Sequence, residues 1–143
     1  LVDLATEQAT EAAELRNEKE TDDLALAYGK GATGRGMATG GAKAVKELEK
    51  DQKSRSTRMI RDSIDGALLD IATFFPDVMM VQAGSTDSLI NTDMTEEITA
   101  YAHKTTPHST VRKVNAIMKA RTHLSHNAAP LLTCEALMCQ IAN

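Results

Sequence analysis

Tryptophan is absent from the chain, and two Phe and two Tyr are its whole aromatic content. A core built from 42% hydrophobic residues must therefore be filled by Leu, Ile, Val, Met and Ala, which suits helices packed closely on helices. The same poverty counts against a small-molecule pocket, whose walls are usually apolar and aromatic. No run of about 18 apolar residues exists, so no membrane span is expected. The opening Leu1-Val2-Asp3-Leu4-Ala5 lacks the basic and apolar regions of a signal peptide, and it reads as the start of a piece excised from a longer polypeptide. The two cysteines, Cys134 and Cys139, are five residues apart in an apolar stretch, which on one helix points them in different directions. Two buried thiols in a reducing cytoplasm are expected, with no disulfide between them.

No segment alternates with period two over more than a few residues, so no sheet is expected and the fold class is all-α. The expected architecture is a compact bundle of about five helices with an N-terminal helical arm. Net charge is −4, unevenly spread: residues 1 to 27 hold eight acidic against two basic residues, and residues 28 to 63 hold four against nine. Residues 1 to 27 carry no Gly or Pro and read as helix, with a thin apolar stripe of Leu4, Ala5, Ala9, Ala12 and Leu15. Six glycines between Gly29 and Gly41 mark a linker. The chain therefore divides into an acidic helical arm and Gly-rich linker over 1–41 and a helical domain over 42–143.

Within the second part, Ile60, Ile64, Ala67, Leu68, Ile71 and Phe75 recur with helical spacing, following a polar first half that reads as projecting from the core. Pro76 interrupts this pattern and predicts a kink or break at Phe75 or Pro76, and Gly84 ends the run. Asp93 with Glu96 has the spacing of a capping box. Thr106 with Pro107 is a further helix start, from which Val111, Val114, Ile117, Met118, Arg121 and Leu124 carry one apolar face. After Asn127–Pro130, the residues Leu131, Leu132, Cys134, Leu137, Met138 and Ile141 make a last helix apolar on most of its circumference, which belongs at the centre of a bundle.

Candidate chemistry is thin. Gly29-Lys30-Gly31-Ala32-Thr33-Gly34 spells a dinucleotide fingerprint, but a polar Ala-rich helix precedes it where a strand should deliver the glycines. Arg35 and Gly36 stand where a phosphate-binding loop needs Lys and Ser or Thr. His123, His126, Cys134 and Cys139 have poor spacing for tetrahedral zinc. No elbow motif selects a nucleophilic triad. The chain is read as non-catalytic, with no cofactor, no metal and no small-molecule substrate. The basic run Lys43, Lys46, Lys50, Lys53, Arg55, Arg58 and Arg61 is the one suggestive polar feature. Its first four members fall at steps of three, four and three, a face fit either to track a phosphate backbone, to answer the acidic arm, or simply to be solvated. Glu47, Glu49 and Asp51 interrupt it. No aromatic residues interleave for base stacking.

Three stretches resemble a known family. KELEKDQKSRSTRMIRDSIDGALLDIATFF is similar to the first long helix of the C-terminal domain of the delta-prime subunit of bacterial DNA polymerase III, in its actinobacterial form. DSLINTDMTEEI resembles that domain's Asn-x-Asp loop and following helix start, and SHNAAPLLTCEALM its closing helix. The resemblance implies a helical collar domain that joins clamp-loader subunits (delta, tau/gamma) into a ring in the cytoplasm, meeting the sliding clamp and primed DNA only through the complex. It further implies subunit-interface residues on exposed helix faces, for which Arg58, Arg61, Arg112 and Arg121 are the candidates. A nucleic-acid-binding adaptor built on the basic helix is the alternative.

Overall fold

A computed structural model describes residues 2–28, 41–86 and 89–142. The described residues form helices α1 (Val2–Ala27), α2 (Gly41–Gln82), α3 (Thr95–Lys104), α4 (Pro107–Ser125) and α5 (Pro130–Ile141), with one 3-10 turn at Thr92–Met94 and no strand. The expected linker from Gly29 lies, up to residue 40, outside the described residues. Two compact units emerge, Leu1–Ser63 and Ile64–Asn143, and the division falls inside α2.

In the first unit α1 lies antiparallel to the first part of α2, since low numbers on one helix meet high numbers on the other. Ser63 donates to the Ala5 carbonyl at 2.8 Å, Gln52 to the Asn17 carbonyl at 2.9 Å, and Asn17 to Ser56 Oγ at 3.0 Å. Arg55 pairs with Glu20, which Arg16 also reaches from within α1. The Arg55 guanidinium, then that of Arg16, holds the Glu20 carboxyl below its ordinary pKa. The polar half of α2 is therefore a packing partner for the arm rather than a free projection. Ala9 and Ala13 are the buried apolar residues of α1; of the expected stripe Ala9 is buried and Ala5 half-buried, whereas Leu4, Ala12 and Leu15 are exposed. Small side chains let the helices approach closely enough for these side-chain-to-backbone bonds to form.

The second unit is built on Ile64, Ala67, Leu68, Phe75 and Val78 of α2, Ile98 and Ala102 of α3, Ile117, Ala120 and Leu124 of α4, and Leu137 of α5, all buried. Three of the four aromatic rings gather here: Phe74, Phe75 and Tyr101 meet edge to face with centroids 5.5 to 6.2 Å apart. Arg121 of α4 holds Asp65 of α2 through two parallel bonds of 2.8 and 2.9 Å, which lower the Asp65 pKa. At the end of α2, Gln82 uses both ends of its amide. Its Nε2 donates to the Thr105 carbonyl and hydroxyl, each at 3.1 Å, and its Oε1 accepts from the fully buried Thr110 hydroxyl at 3.2 Å. One side chain thus joins the exits and entries of three helices.

The ends of the helices follow the sequence in most places. Thr106 Oγ1 accepts from Ser109 N at 3.2 Å with Pro107 in the first turn of α4. Gly84, at φ 83°, lets Ser85 N bond the Met80 carbonyl and closes α2. Asn127, at φ 64°, does the same for α4, with Ala128 N on the His123 carbonyl. Asp93 and Glu96 do not form the expected box: a 3-10 turn leads into α3, whose cap position is Met94 with no side-chain bond.

Pro76 does not break α2, which runs through it to Gln82. The proline is exposed, so the Ala72 carbonyl it deprives of a donor lies on the water side. The neighbouring Thr73 carbonyl accepts from Asn91 Nδ2 at 3.1 Å. Tertiary packing on both sides of the proline, through Phe75 and Val78, overrides its local cost. Pro76→Ala is expected to stabilise the second unit by about 2–2.5 kcal/mol, the interior proline cost of about 3 kcal/mol less the freedom returned to the unfolded chain. A rise in the urea midpoint with unchanged slope checks it.

Candidate assembly surface

The apolar periodicity of α4 is real but rotated from its expected face. Thr110, Ile117, Ala120 and Leu124 are buried, while Val111 and Met118 are exposed. These two are seven residues apart and so share a side of the helix, away from the core.

The expectation for α5 fails more broadly. This helix packs on α4, yet only Thr133 and Leu137 are buried, and Leu131 is 70% exposed, Leu132 65% and Met138 65%. Cys134 is half-buried and Cys139 exposed, so the two thiols are not both in the core. An apolar circumference does not by itself bring burial on all sides, and α5 is covered on one side only. Its outward side presents Leu131, Leu132, Ala136 and Met138 with Glu135 as the single charge. Helix propensity and the Pro130 start hold the element in place, and packing through Leu137 fixes which side faces out. Between α4 and α5 lies an open groove of about 450 Å³, lined by Arg112, Asn115, Ala116, Lys119, Cys139 and Gln140.

The four expected interface arginines differ in their surroundings. Arg58 is exposed on α2, and Arg61 is half-buried with no hydrogen-bond partner for Nε. Arg112 is exposed on α4 at the groove. Arg121 is engaged inside the second unit with Asp65. On α5, Leu131, Leu132, Met138 and Cys139 are expected in the core and lie outside it. Their signal is a terminal helix with too many apolar positions for one contact face. Among the described residues no group of three or more His, Cys, Asp or Glu is placed to hold a metal ion, and no helix is long and apolar enough to cross a membrane.

The sequence profile of the family described as DNA polymerase III, delta subunit, C terminal matches residues 58–141. The chain belongs to this family. The match covers the last turns of the basic segment and nearly the whole second unit, so the family's domain is the part of the chain that carries the α4–α5 surface. No curated protein and no solved structure matches the chain.

Proposed function

We propose that this DNA polymerase III domain is the assembly module of a clamp-loader subunit of the delta-prime type, acting in the cytoplasm and binding neighbouring loader subunits (delta, tau/gamma). The carrying observation is the uncovered apolar side of α5. A monomeric soluble protein seldom leaves three large apolar side chains more than three-fifths exposed on one short helix, and such surfaces mark protein–protein contacts. Each side chain of this size contributes about 1.5–3 kcal/mol when fully covered. The collar reading of residues 42–143 rests on the second unit, with residues 1–41 as its arm. The delta-prime assignment is supported by the three stretches described above. In this reading the sliding clamp and primed DNA are handled by the complex as a whole, and the module binds without chemistry of its own.

The test is size-exclusion chromatography of the chain mixed with the other loader subunits, without nucleotide. Co-elution that disappears when Leu131 and Met138 are both changed to Glu supports the assignment. Failure of the folded, unsubstituted chain to co-elute removes it.

A further inference from the structure

One ridge of α2 is exposed over most of its length. Lys43, Lys46, Lys50, Lys53, Thr57 and Arg61 follow one another at steps of three, four, three, four and four. At 100° per residue they fall within an arc of about 80° and run for about 27 Å along the helix. The first five are exposed; Arg61 is half-buried, its Nε buried and without a hydrogen-bond partner. The contact with α1 uses another side of α2, through Gln52, Arg55, Ser56 and Ser63, so α1 leaves this ridge open. Among the described residues none of the four lysines enters an ion pair; the pairs formed are those of Arg16, Arg55 and Arg121. The acids Glu47, Glu49 and Asp51 are exposed on the flanks of the ridge, and none lies on it.

We propose that this ridge is a docking site for the phosphate backbone of duplex nucleic acid, read without sequence preference. The ridge offers five cations and one hydroxyl, and no apolar side chain to anchor a protein partner, whose interfaces bury apolar centres. It carries no aromatic ring, so bases cannot stack on it and a backbone is the fitting ligand. Long lysine side chains at helical spacing supply point charges that follow a rod-like polyanion and release its counterions. This inference is independent of the α5 assembly surface.

The experiment is fluorescence anisotropy of a labelled DNA duplex titrated with the full chain, repeated with an RNA duplex of the same sequence and a scrambled DNA. Binding at about 1–100 μM at moderate salt is expected, alike for both DNA sequences, with a log–log salt slope of about −4.5 for five neutralised phosphates. Replacing Lys43, Lys46, Lys50 and Lys53 with Gln is expected to weaken binding roughly a hundredfold at low salt and to flatten the slope to about −1. Circular dichroism verifies that this variant keeps its helices. The variant carrying Leu131→Glu and Met138→Glu is expected to bind DNA undiminished, which separates this site from the assembly surface. Absence of binding at low salt, equal binding by the four-lysine variant, or displacement by polyglutamate as effective as by DNA would overturn the proposal. The last outcome would assign the ridge to an acidic protein.

Discussion

Replacing Asp77 with alanine is expected to destabilise the second unit by about 3 kcal/mol, a large effect for a single polar side chain. Asp77 is 1% exposed, on the buried side of α2 beside Val78. Its Oδ1 accepts from Ile90 N at 2.8 Å, and its Oδ2 from Asn91 N at 2.8 Å and Asn91 Nδ2 at 2.7 Å. These bonds tie the segment after α2 to the helix and satisfy two amides just before the 3-10 turn. Alanine removes the charge, leaves the Ile90 and Asn91 amides without their acceptor, and leaves Asn91 Nδ2 with the Thr73 carbonyl alone. Burial by itself pushes the Asp77 carboxyl up, but the Ile90 and Asn91 donors outweigh it and hold the pKa below the ordinary value. The contribution is therefore fully present above the unfolded-state value near 3.9 and is lost as pH falls through the lower folded value. Denaturation followed from pH 7 down to pH 2 should show this fall in the parent chain. In Asp77→Asn the same fall is expected to be smaller, on a lower plateau.

The double change Leu131→Glu and Met138→Glu is expected to weaken subunit association roughly a hundredfold, about 2.7 kcal/mol, while altering folding stability by no more than about 0.5 kcal/mol. The two effects separate because both side chains are mostly in water in the chain alone. Nothing in the folded unit is lost when they become charged. A partner covering α5 would instead have to bury two carboxylates beside Glu135 with no cation supplied by this helix. Isothermal titration against the partner subunits, with thermal unfolding of the free variant alongside, measures both quantities. Equal losses in binding and stability would mean that α5 is part of the core after all.

Local signals carry much of the helical plan. Gly84, Thr106, Pro107 and Pro130 act through backbone geometry, a capping hydroxyl or a missing N–H, and each stands where the sequence places a helix end. Expectation and structure part where distant residues decide. Pro76 is tolerated because Phe75 and Val78 are buried around it and Asn91 serves a nearby carbonyl, none of which local propensity contains. Asp93 has the spacing of the important acid in its region, yet the structural acid is Asp77, whose partners lie thirteen and fourteen residues onward. No short-range pattern joins them. The assembly surface is illegible for a different reason: hydrophobicity reports that Leu131 and Met138 avoid water, without saying whether their own chain or another covers them. The lysine ridge is visible as spacing, and only the position of α1 shows that this helix leaves it uncovered.

Gln82 gives the meeting point of α2, α3 and α4 a direction. Its nitrogen faces the carbonyl and hydroxyl oxygens of Thr105 and its oxygen faces the Thr110 hydroxyl, so turning the amide over would set acceptor against acceptor at the Thr105 carbonyl. Glutamate has nearly the same shape but presents an acceptor where a donor is required. In Gln82→Glu the junction would close well only with the carboxyl protonated, and a contact indifferent to acidity would become one that tightens as the solution is acidified. Shape alone does not specify this corner; the orientation of one dipole does.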